Sequence, residues 1–182
     1  MPTGRTGLRA SLLGLGVGVL LSACAPALNW RSVELGAQAR MQFPCKPEQA
    51  ERTLDVAGAP VRAAMWACEA DGLSWSVTRW ETPDPARLVE MLRESRVGLE
   101  RRLQGREFSA QPAQLSGMTP NPEARRVVIL GPEGDGLPLR AEAVFVTRGL
   151  QVFQLVAMGP RGRAADWSES AEEFLGSLRW PS

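Results

Sequence analysis

The chain contains no histidine and no tyrosine. That removes Ser-His-Asp and Cys-His catalysis, histidine-based zinc sites and the usual general base near neutral pH. Any chemistry must rest on carboxylates, arginines or the three cysteines, Cys24, Cys45 and Cys68. Glu133 and Asp135, in the run GPEGDG, could offer oxygens to a hard cation such as calcium. Two carboxylates fall far short of the six to eight oxygens such an ion takes, so a solvated turn is the expected reading. Asp55, Glu69, Asp71 and Glu81 could approach one another across early hairpins, and paired carboxylates can do acid–base work. Carboxylates at strand ends are more commonly solvated. The pairs Arg101-Arg102 and Arg125-Arg126 could hold a phosphate or lipid headgroup. Neighbours on a helix diverge and neighbours on a strand point to opposite faces, so neither pair is expected to form one site.

Trp66, Trp75 and Trp80 fall in two adjacent predicted strands. Trp75 shares its face with Leu73 and Val77, which predicts core. Trp66 and Trp80 are expected on the opposite side of the sheet, packed beneath a helix or lining a groove. An exposed pair there would be a surface for a ligand or protein partner.

The N-terminus has the three parts of an export signal. Arg5 and Arg9 form a basic start with no acidic residue, and Leu12 to Leu21 is an apolar run. Ten residues are too few to span a bilayer, which takes roughly 20, but they suit a signal peptide. The run leads directly into Leu21-Ser22-Ala23-Cys24, which resembles the bacterial lipobox. The resemblance implies a signal peptide over 1–23, diacylglycerol on Cys24 and a tether over 24–29. An ordinary secretory signal cut after Ala27 is the alternative; a cut after Ala25 would put Pro26 first, which resembles a poor site for the general signal peptidase. By resemblance to the sorting rule of Gram-negative lipoproteins, Ala25 rather than an aspartate implies the outer membrane, facing the periplasm.

Removing the first 23 residues takes away two of the 21 basic residues and none of the 20 acidic ones, leaving 159 residues with a formal charge of −1. That length suits one domain, residues 30–182, with a single core. The charge gives no concentrated positive patch, so no nucleic-acid partner is expected. With Cys24 given to lipid, Cys45 and Cys68 remain as a pair in an oxidising compartment, and a structural disulfide is expected. A redox or metal-binding pair would be the functional alternative, but C-x-x-C spacing is lacking.

Periodicity supplies the elements. Short extended pieces surround Gly36 and end at Phe43-Pro44-Cys45-Lys46-Pro47. Strands are predicted over 51–56, 61–69 and 73–81, the last two joined by Asp71-Gly72. Asp84-Pro85 then opens a helix running to Gly105, with Leu88, Met91, Leu92, Leu99 and Leu103 at helical spacing. Residues 108–123 read as loop because of Pro112, Pro120 and Pro122. Strands follow over 125–130, 139–147 and 150–158, then a helix over 165–178 with Ser170 and Glu173 at capping-box spacing. The expected class is α+β: an antiparallel sheet of about six strands with a long central helix and a C-terminal helix.

That order, with the Phe43-Pro44 strand ending and the closing helix bearing Phe-Leu-Gly-Ser-Leu over 174–178, resembles the PsbP-like fold. The segment Phe43 to Glu48 (FPCKPE) and the later Cys68 are similar to those of uncharacterised proteobacterial lipoproteins. The resemblance implies an accessory role and brings no catalytic residue, cofactor or metal. The expectation is a membrane-anchored, periplasm-facing lipoprotein acting as a non-catalytic accessory or binding module. Its expected partners are the membrane, through the lipid, and an envelope protein. A lipid-anchored enzyme or metal-dependent factor using the carboxylates is the alternative.

Overall fold

The structure is a computed structural model that describes residues 28–36, 38–56, 58–132 and 138–181. The described chain runs β1 (Arg31–Glu34), β2 (Arg40–Phe43), β3 (Glu48–Val56), β4 (Ala59–Ala70), β5 (Leu73–Glu81), α1 (Leu88–Arg102), β6 (Arg106–Pro112), β7 (Arg125–Leu130), β8 (Leu139–Arg148), β9 (Gln151–Pro160) and α2 (Ala164–Gly176). Seven strands form one antiparallel sheet in the order β3-β4-β5-β9-β8-β7-β6, and β1 pairs with β2 apart from it.

The sheet is two meanders, β3–β5 and β6–β9, fused where β5 pairs with β9. The chain must therefore travel from β5 to the far edge, four strand spacings or about 19 Å away. Helix α1, with 15 residues and a length of about 22 Å, covers that crossing. Its start is fixed by Asp84, whose carboxylate accepts from the Ala86 amide at 2.9 Å while Pro85 opens a 3-10 turn before the helix. Its end is fixed at Gly105, where an added Cβ would lie 2.7 Å from the Leu130 carbonyl oxygen. The Asp71-Gly72 turn has positive φ at both residues, 53° and 71°, the geometry that lets a two-residue connection follow the strand twist.

Two apolar layers result. On one face α1 lays Leu88, Met91, Leu92 and Leu99 over Trp80, Val127, Ile129 and Phe145. On the other, α2 and the β1–β2 hairpin enclose Trp75, Phe153 and Phe174 with Met41 and Phe43. Cys45 and Cys68 form a disulfide that ties the segment after β2 to β4.

Three expectations change. Residues 106–112 form an edge strand rather than loop, because backbone pairing with β7 needs no apolar alternation in a strand exposed along most of its length. Ser170 and Glu173 lie in the middle of α2 and cap nothing, since the chain enters that helix through a 3-10 turn at Arg161–Arg163. Trp66 sits opposite Val77 in the β4–β5 register, so it shares the face of Trp75 instead of lying across the sheet from it. Trp80 is on the α1 side, as expected.

Candidate functional site

Helix α2 lies over β8 and β9 and leaves the same face of β7 and β6 open. Strand alternation sends Val127 and Ile129 into the α1 layer, so Arg126, immediately before Val127, projects onto this open face. There its guanidinium bridges two carboxylates. Arg126 Nη1 donates to Glu172 Oε1 of α2 at 2.7 Å, and Nη2 lies 2.5 Å from Glu172 Oε2 and 3.5 Å from Glu142 Oε2. Glu142 is only 6 % exposed and accepts a second arginine, Arg140, whose Nη2 and Nε donate to Oε1 at 2.9 and 3.2 Å. A carboxylate so buried needs such partners to stay charged.

The hydrogen bond from Arg126 holds the Glu172 carboxyl below the usual carboxylate range, against the opposing pull of burial. The same bond raises the Arg126 pKa, again against burial. Both groups are therefore firmly ionised at neutral pH, the opposite of a carboxyl tuned upward for proton transfer.

This ionic bridge lines a cleft of about 400 Å³ between α2 and the segment after β6, bordered also by Gln111, Gln114, Ser116 and Arg179. Arg179 closes the end of α2 by donating from Nη1 to the Gly176 and Leu178 carbonyls. The far side of the same segment borders an apolar groove of about 580 Å³, with Leu115, Met118, Pro120 and Pro122 along it. The segment that separates the two is pinned at its tip. Thr119 N donates to the Thr147 carbonyl at 2.7 Å, Thr147 Oγ1 returns a bond to the Thr119 carbonyl at 3.1 Å, and the Gly149 amide donates to Thr119 Oγ1 at 2.9 Å. Arg148 Nη1 adds a bond to the Gly117 carbonyl at 2.8 Å.

The residues singled out by type lie elsewhere. Trp66 and Trp80 are 4 % and 5 % exposed, so neither ring offers a contact surface. Trp66 is covered by Arg79, whose guanidinium carbon is 5.8 Å from the ring centroid and whose Nη1 donates to the Leu35 carbonyl at 2.6 Å. Among the early carboxylates, Glu69 and Asp71 sit at one end of the β4–β5 hairpin, and Asp55 and Glu81 at the other. Strand length thus separates them into two pairs, and among the described residues no group of three acidic or cysteine side chains is placed to hold a metal ion. Arg101 and Arg102 are exposed on the last turn of α1. Arg125 points away from its neighbour, donating to the Pro122 and Ala124 carbonyls at 2.6 and 2.9 Å. Cys24, Glu133 and Asp135 lie outside the described residues. The Arg126–Glu172 bridge joins residues 46 apart in sequence, and no local motif announces it.

No protein-family model and no curated protein matches the chain. Among solved structures it is similar to cyanobacterial PsbP (CyanoP) from Synechocystis sp. PCC 6803, with a TM-score of 0.56 and 13 % identity over 91 % of this chain and 99 % of that one. The fold is PsbP-like. A protein of unknown function from Pseudomonas aeruginosa, PA94, overlaps with a TM-score of 0.47 and 12 % identity over 84 % of this chain and 98 % of that one. At such identities the likeness speaks for the fold alone.

Proposed function

We propose that this chain is a lipoprotein anchored to the outer membrane through Cys24. Its PsbP-like domain then serves as a non-catalytic module that binds an envelope protein partner in the cleft between α2 and residues 113–124. The single observation that carries the binding reading is the Arg126–Glu172 bridge lining that cleft. It presents fixed charges of both signs beside the apolar Leu115 and Leu175, which suits recognition of a protein surface. Its carboxyl is held ionised, which does not suit acid–base catalysis. The anchoring part rests on the basic start, the ten-residue apolar run and the lipobox-like Leu21-Ser22-Ala23-Cys24.

Two measurements test the two parts. Labelled palmitate should be incorporated by the wild type and lost in Cys24→Ser, with the protein leaving the membrane fraction; labelling that persists refutes the anchor. A photo-crosslinking residue at Ser116, in the cleft, should trap one defined envelope protein in living cells, while one at Arg62, on the opposite half of the sheet, should not. Equal trapping at both positions refutes the cleft as the contact site.

A further inference from the structure

The first described residues are packed onto the domain. The Asn29 amide donates to the Pro44 carbonyl at 2.7 Å, and the Trp30 ring packs edge-on against Trp75 with centroids 6.4 Å apart. The polypeptide is therefore held at one end of β4 and β5 at Asn29 and Trp30. Four residue steps separate Leu28 from Cys24, so the lipidated residue lies at most about 15 Å away. A domain of this length has a radius of gyration of about 15 Å, hence a diameter well over twice the tether. A leash that short cannot let the domain turn its opposite end to the membrane.

The surface at the tether end has its own chemistry. Beside the disulfide lies a cleft of about 420 Å³ bordered by Lys46, Glu48, Glu69 and Ser74. Glu48 sits opposite Ala67 and Glu69 opposite Ser74, so all four positions share one face of the sheet. Helix α1 does not shelter this corner, and Met65, two residues back on the same face of β4, is 40 % exposed. The side chains of Lys46, Glu48 and Glu69 make no hydrogen bond or ion pair among the described residues, whereas most arginines of the domain are paired. One cation beside two carboxylates, all unpaired, complements a ligand that carries a phosphate and an ammonium group close together.

We infer that the domain is seated on the bilayer by its tether end, with this cleft against zwitterionic phospholipid headgroups. Lys46 meets the phosphate, and Glu48 and Glu69 meet the ammonium. The inference rests on the Cys24 anchor proposed above. It sends the Arg126 cleft toward the periplasm, because residues 113–124 are pinned to Thr147 and Gly149 at the other end of β8.

The test uses the lipidated protein in vesicles of phosphatidylethanolamine and phosphatidylcholine carrying a headgroup spin label. A fluorescent amino acid is placed either at Gln49, exposed at the tether end, or at Leu150, 42 % exposed at the other end of the strands. The two ends of β5 are about 26 Å apart, so quenching at Gln49 should exceed that at Leu150 at least threefold. Replacing Glu48 and Glu69 with Gln should lower quenching at Gln49 by about half. Intact mass and vesicle flotation report acylation separately. An unacylated protein overturns the anchor and the seat together. An acylated, floating protein with equal or reversed quenching overturns the seat alone, and an unchanged ratio in the double variant overturns the headgroup contact.

Discussion

Replacing both Cys45 and Cys68 with Ala should cost the domain about 3.4 kcal/mol. The bridge joins residues 23 apart in sequence and closes a loop of about 24 residues. Freeing such a loop returns about 11–12 cal/mol/K to the unfolded ensemble, which at 25 °C gives that figure. The loop contains all of β3, an edge strand whose residues are largely exposed, and one wall of the loop is the segment leading out of β2. Little buried apolar surface of β3 compensates when the staple is removed, so the loss should approach the full entropic value. For a domain of about 155 residues this corresponds to a fall in Tm of about 7–14 °C. Urea unfolding followed by tryptophan fluorescence gives the free energy, and native-state hydrogen exchange should show β3 amides losing protection ahead of β8 and β9. A loss below about 1 kcal/mol with an unchanged urea dependence would refute the reasoning, since β3 would then be held by its pairing with β4 alone.

Other outcomes follow from the same structure. Arg126→Gln should let the Glu172 carboxyl titrate at higher pH. The folded pKa of Glu172 is depressed, so its contribution to stability is present above the unfolded value and lost as pH falls through the folded one. Carbon NMR of the side-chain carboxyl checks this, and an identical titration in wild type and variant sinks the bridge. Leu92→Asp should leave no folded domain at neutral pH, because the residue is 1 % exposed on the sheet-facing side of α1; an unaltered melting curve would mean that the helix face is misassigned. Phe174→Ala should cost about 3–5 kcal/mol, since the ring is fully buried between Phe43 and Trp75, read as a shift in urea midpoint at constant slope. Gly105→Ala should cost about 1–3 kcal/mol, because the new methyl meets the Leu130 backbone, which no rotamer change can move; a neutral melting temperature would contradict it.

The sequence made the local features legible wherever periodicity and turn chemistry were strong. The stripe of Leu88, Met91, Leu92 and Leu99 is the buried face of α1, and Asp71-Gly72 is the hairpin turn. The disulfide was expected from the cysteine count, and the structure joins Cys45 to Cys68. Strand β6 was hidden because Arg-Glu-Phe-Ser-Ala-Gln-Pro has neither alternation nor β-branched residues; it is a strand only because β7 offers it a ladder.

What the sequence determined by itself is what depends on near neighbours: helix faces, turns and the absence of histidine chemistry. Which strand lies beside which, and which side chains share a face across two strands, depends on register. Register is set by the whole sheet closing on its two apolar layers. That is why Trp66 changed sides, why the four early carboxylates fell into two distant pairs, and why Arg126 met Glu172. The cleft is built from β6, β7 and α2, separated by tens of residues, and it exists only once α2 has docked on β8 and β9.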